Sequence, residues 1–163
     1  MSSLTILTTS MKANPAENLE QFKQDFPVIL PIRVAWGEMD AFQHVNNVSY
    51  IRYFESARIA YMEAMNMEAD ITQSPVGPIL GDIYCRYRRP VVYPDTLHIG
   101  TKISEIQDFG FVMEYQAFSE KQQTVTTLGH CKIVMIDYRS GNKVAVEGEM
   151  LEKILKLQPE LAS

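Results

Sequence analysis

The stretch from Val48 to Met65 restricts the fold more than any other part of the chain. Stepped at about 100° per residue, Tyr50, Tyr53, Phe54, Ala57, Ala60, Tyr61, Met62, Ala64 and Met65 fill one wide arc, and Arg52, Glu55, Ser56 and Glu63 occupy the remainder. A surface helix needs an apolar stripe only about 100° wide, and this arc is roughly twice that. Such a helix has to be enclosed, so the rest of the sequence must supply the enclosure.

The rest of the sequence reads as strands. Val28 to Trp36 is rich in Val, Ile and Leu and is broken by Pro31, which suits a first strand that is edge-like at its start. After a Pro-containing loop from Ile71 to Gly77 the period becomes two: Ile79, Gly81, Ile83, Cys85 and Tyr87 alternate with Asp82, Tyr84, Arg86 and Arg88. Turn signals at Tyr93-Pro94-Asp95, Asp108-Phe109-Gly110 and Glu120-Lys121-Gln122 then divide three further strands, the last running from Thr124 to Asp137. Hairpin-length connections predict antiparallel neighbours. Ser140-Gly141-Asn142 turns the chain into a terminal helix from Glu149 to Leu157. At the other end, Asn14-Pro15-Ala16-Glu17 predicts a capped helix to about Lys23 or Gln24, a covering element without a functional role. The expected class is α+β: a curved antiparallel sheet wrapped around one long central helix over 28–163, preceded by an extension over 1–27.

Composition narrows the partners. A chain of 163 residues suits one domain, and a formal net charge of −5 argues against a surface that tracks nucleic-acid phosphates. Cys85 and Cys131 lie in strand-like runs without metal-ligand or CxxC spacing and read as reduced core residues. His44, His98 and His130 likewise lack metal-ligand spacing, so neither a metal nor another cofactor is expected. With no membrane-span-length apolar run and no signal-like N-terminus, a cytoplasmic protein is expected.

The polar chemistry gathers just before the long helix, in Trp36-Gly37-Glu38-Met39-Asp40-Ala41-Phe42-Gln43-His44-Val45-Asn46-Asn47. A carboxylate, an imidazole and two amides stand where a helix start leaves unpaired N–H groups and the positive end of its dipole. Such a place binds an anion or polarises a carbonyl. Arg86, Arg88 and Arg89 form the only compact basic cluster.

This run, continued through Tyr50, Phe54, Glu55 and Arg58, resembles the hotdog-fold thioesterases of the 4-hydroxybenzoyl-CoA type. Tyr87-Arg88-Arg89-Pro90 and Glu147-Gly148-Glu149 extend the resemblance, which covers about Pro31 to Leu157. Many members carry Gly where this chain has Gln43; Gln-His-Val-Asn-Asn is similar to the branch that hydrolyses long-chain acyl-CoA. The resemblance implies a helix inside a curved sheet, a homodimer or homotetramer in which two chains share a continuous sheet, and active sites at that interface.

It also implies roles. Asp40 becomes the catalytic carboxylate, as base or nucleophile; taken alone, such an Asp serves equally to tie down loop or helix N–H groups. Backbone N–H groups around Asn47 to Ser49 become oxyanion donors. His44 orients water or protonates the leaving thiolate, or is a loop histidine bonded to backbone. Asn46 and Asn47 read as helix caps with a secondary role in positioning water or the carbonyl. Arg88 and Arg89 bind the phosphates of the acyl-CoA substrate, while Tyr50, Phe54, Met62 and Met65 line an acyl tunnel or belong to the core. Two other functions remain on the same fold: an enoyl-CoA hydratase, whose Asp-x-Asn-Pro-x-His motif this chain lacks, and a non-catalytic acyl-CoA-binding module.

Overall fold

In the computed structural model, residues 16–67 and 73–162 are described. The expected cap at Asn14, with Pro15 at the first helical position, and the loop start at Ile71 lie outside those residues. The helix within them, α1 (Leu19–Gln24), begins later than expected: Asn18 accepts from the Gln21 N–H at 2.9 Å, and the Gln21 side chain accepts from the Glu17 N–H at 2.9 Å. Asn18 is thus the cap, and Gln21 ties down the N–H of the residue before it.

The other elements are β1 (Val28–Arg33), a short 3₁₀ turn (Trp36–Glu38), α2 (Asn47–Ala64), β2 (Val76–Tyr87), β3 (Thr96–Gln107), β4 (Gly110–Ser119), β5 (Thr124–Asp137), α3 (Gly148–Leu157) and a 3₁₀ turn (Pro159–Ala162). All strands join one antiparallel sheet in the order β1-β3-β4-β5-β2. β3-β4 and β4-β5 are the expected hairpins. β2 and β3 are not neighbours, contrary to the hairpin expectation: β2 pairs only with β5, and residues 88–95 cross the end of the sheet to start β3. Three strand spacings separate the two, about 14 Å, which an eight-residue segment reaches easily.

The alternation expected for β2 also breaks. A bulge between Leu80 and Asp82 inserts one residue, which reverses the face of everything on one side of it. Leu80 pairs with the buried Ile133, whereas Ile79 pairs with Val134. Beyond the bulge Ile83 and Cys85 again face the core, against Cys131 and Gly129.

α2 lies on the concave face against β1 and β3. Its buried residues, Tyr50, Tyr53, Phe54, Ala57, Tyr61 and Met62, form a stripe narrower than the predicted arc; Ala64 is exposed, as are Val48, Ile51 and Ile59. One layer of five strands covers one side of a helix, so the far side stays open within this chain. Phe54 stacks on Tyr115 with ring centroids 4.9 Å apart and lies over Gly129, where an added Cβ would sit 2.7 Å from the ring. On the opposite face Phe26, just past the end of α1, does the same over Gly100. Phe22, Phe118 and Val125 complete that smaller cluster, so α1 does cover the sheet.

Candidate active site

Residues 38–46 fold back on themselves before α2 begins. The Asn46 N–H donates to the Glu38 carbonyl and the Asp40 N–H to the His44 carbonyl, both at 2.9 Å, around an isolated Met39–Val45 bridge. The Gln43 N–H closes the tip onto the Asp40 carbonyl at 2.9 Å, and Gln43 has φ +64°. This is a three-residue hairpin loop whose last position is left-handed, the conformation that glycine adopts most cheaply.

That loop sets the direction of Asp40. Its Oδ1 accepts from the Phe42 N–H at 2.8 Å, and its second oxygen has no hydrogen-bond partner among the described residues. The side chain is exposed and lines a cleft of about 420 Å³ together with His44, Asn47, Tyr50, Arg88 and Arg89. Asp40 therefore serves both the turn and the cleft, one oxygen to each.

Asn46 is the helix cap: its Oδ1 takes the Val48 N–H at 2.9 Å and its carbonyl the Ser49 N–H at 3.0 Å. This narrows the oxyanion donors expected around Asn47 to Ser49. Two of the three amides are already engaged, leaving the Asn47 N–H as the first-turn donor that the cap does not use. Asn47 is the first helical residue rather than a cap.

The opposite wall is the crossover. Arg88 and Arg89 lie past the end of β2, with both N–H groups donating to the Thr126 carbonyl, at 2.8 and 3.2 Å, and both side chains exposed. Val91 anchors the segment to the 38–46 loop by accepting from the Val45 N–H at 2.9 Å. Tyr50 forms the floor and meets Tyr87 edge-on at 5.4 Å. Burial raises the pKa of both phenols, that of Tyr87 to about 12. Phe54, expected to bind substrate, is not on the cleft wall: it is fully buried against Tyr115. Met65 is buried in the core as well, whereas Met62 borders a separate cavity.

Phe42 and Tyr87 line the cleft without having been singled out as wall residues. Phe42 is 83% exposed at the loop tip. Its signal in the sequence is its place beside Asp40; that of Tyr87 is its neighbouring arginines. Among the described residues, no three His, Cys, Asp or Glu side chains converge as metal ligands would, and no helix is long and apolar enough to cross a membrane.

Residues 34–154 match the family model described as the thioesterase-like superfamily. The long-chain acyl-CoA thioesterase FadM of Escherichia coli is 28% identical over 123 residues, spanning 76% of this chain and 93% of that protein. Among solved structures, the PA5185 protein of Pseudomonas aeruginosa superposes with a TM-score of 0.71 at 27% identity, covering 80% of this chain and 90% of its own. A Thermus thermophilus thioesterase solved with coenzyme A and Zn gives a TM-score of 0.72 at 22% identity, covering 82% of this chain and 96% of its own, which bears on the fold. The architecture is the hotdog fold.

Proposed function

The chain belongs to the thioesterase-like superfamily, and from that premise we propose that it hydrolyses acyl-CoA, releasing free CoA and a carboxylic acid, at the cleft between Asp40 and the 88–91 crossover. The observation that carries this reading is the meeting of a half-free carboxylate, a histidine, a first-turn amide and two guanidinium groups around one cavity. FadM, a relative along most of its length, is a long-chain acyl-CoA thioesterase by name.

In this reading the free oxygen of Asp40 takes a proton from water as the water oxygen attacks the thioester carbonyl carbon. The carbonyl electrons move onto oxygen, where the Asn47 N–H and the positive end of the α2 dipole receive them. Collapse of that oxyanion breaks the C–S bond. The leaving thiolate takes a proton from protonated His44, to which the proton held on Asp40 then passes to restore both groups, while Arg88 and Arg89 hold the CoA phosphates. The site is completed by a second copy of the chain: β2 is a twelve-residue free edge, whereas the opposite edge, β1, is short and interrupted by Pro31. Pairing along β2 continues the sheet and removes the exposed edge.

Thiol release from acyl-CoA by the purified protein tests the assignment. Asn at position 40 keeps an oxygen for the Phe42 N–H but cannot take a proton. Asp40→Asn should therefore lower kcat by about 10²–10⁴-fold with an intact fold. Wild-type turnover in this variant would remove Asp40 from the mechanism. Consumption of enoyl-CoA without thiol would indicate hydration, and tight binding without turnover a binding module.

A further inference from the structure

The cleft stands where α2 starts and β2 ends. Where α2 ends and β2 starts there is a second cavity, of about 310 Å³, walled by Ile59, Met62, Val76, Pro78, Leu80 and Ile133. The two elements thus carry a cavity at either end. Between them, along the helix, Ile51 is 37% exposed, and along the strand Ile83 and Cys85 are only half-buried, so this route is not sealed by the core.

Arg58 sets this second cavity apart from a plain hydrocarbon pocket. It is half-buried on the cavity wall and donates to the Tyr115 hydroxyl at 3.2 Å, which itself contacts the Cys131 sulfur at 3.1 Å. Burial raises the pKa of that phenol, so Tyr115 is neutral. Among the described residues no carboxylate lies within ion-pairing distance of Arg58. A guanidinium has five donors, and a cation left facing hydrocarbon is unfavourable. An oxygen is therefore called for at this end. Glu55 and Glu63, both exposed, also border the cavity, so its lining carries two negative charges against one positive. That balance disfavours a carboxylate and suits a hydroxyl, which accepts from Arg58.

Resting on the acyl-CoA hydrolase reading, we propose that the second cavity receives the far end of the acyl chain, and that the chain it fits is an ω-hydroxyacyl group. Its length follows from the elements. Asn47 and Arg58 are about 17 Å apart along the helix axis, and Leu80 and Tyr87, six ladder steps apart once the bulged residue is discounted, about 20 Å apart along the strand. An extended chain that advances about 1.25 Å per carbon spans these distances with about 14 to 16 carbons.

The test compares kcat/KM for hexadecanoyl-CoA, 16-hydroxyhexadecanoyl-CoA and hexadecanedioyl-CoA, with decanoyl-CoA as a chain too short to reach Arg58. The wild type should favour the 16-hydroxy chain over the plain one by about tenfold. Arg58→Met should erase that preference and leave decanoyl-CoA turnover unchanged. Leu80→Trp, which fills the cavity and keeps the Arg58 guanidinium, should slow every 16-carbon substrate and spare decanoyl-CoA. Equal rates for the hydroxylated and plain chains, a preference for the dicarboxylic chain, or a hydroxyl preference that survives Arg58→Met would each overturn the assignment. Absence of thiol release from every chain would instead overturn the hydrolase reading beneath it.

Discussion

Gln43 shows how a single residue can be legible in the sequence and explained only by geometry. Where the family resemblance leads one to expect Gly, this chain holds Gln at φ +64°, at the end of the loop that directs Asp40. A left-handed non-glycine residue costs about 1–2 kcal/mol, partly offset by the extra freedom that glycine has in the unfolded chain. Gln43→Gly should accordingly raise stability by about 0.5–1 kcal/mol, seen as a higher urea midpoint at unchanged slope. A lower midpoint would mean that the Gln43 side chain contributes something that its backbone does not reveal. Asp40 and His44 were identifiable because their neighbours in sequence are also their neighbours in space. Phe54 was misplaced for the opposite reason: on a helix, four residues past Tyr50, it could face the cleft or the core, and only the position of Gly129 and Tyr115 decides.

Among the elements, strands with two-residue periodicity and turn residues between them were readable, as was the long helix. What the pattern hid was pairing. The segment from Arg88 to Asp95 has the length of a hairpin loop, yet it is a crossover, and by crossing it brings Arg88 and Arg89 opposite Asp40. The Gly81 bulge is equally silent in the pattern, because alternation on either side of it looks continuous. α1 illustrates an element whose role follows from where it packs. Phe22 is fully buried, its ring centroid 5.1 Å from that of Phe26 and 5.2 Å from that of Phe118, on the face turned away from α2. Phe22→Ala should cost about 3–5 kcal/mol, measured by denaturant unfolding, with kcat for acyl-CoA unchanged. A parallel loss of kcat would show that α1 communicates with the cleft.

The molecule as a whole carries a burden of buried phenols. Tyr50, Tyr53, Tyr61 and Tyr115 have pKa values raised by desolvation, and that of Tyr87 is pushed up to about 12. An acid with a raised folded-state pKa binds more protons folded than unfolded between the two values. Stability is therefore fully present below the ordinary tyrosine value of 10.0 and falls as pH rises above it. Burial raises the Cys85 and Cys131 thiols in the same way, from an ordinary value of 9.0, so urea midpoints measured from pH 8 upward should begin to decline beyond about pH 9 and fall more steeply beyond about pH 10. Midpoints that stay level well above pH 10 would mean that these hydroxyls reach water in the folded state.

By itself the sequence determined which segments are helices and strands, that one helix must be packed against a sheet, and which short run holds the carboxylate, imidazole and amides. Those properties are local, set by periodicity, turn chemistry and the order of neighbouring residues. The tertiary structure decided which strands pair, which wall faces Asp40, that the Val48 and Ser49 amides are taken by the cap, and that a second cavity lies at the far end of α2. Each of these depends on contacts between residues distant along the chain, whose closure costs entropy that only the completed sheet and core repay.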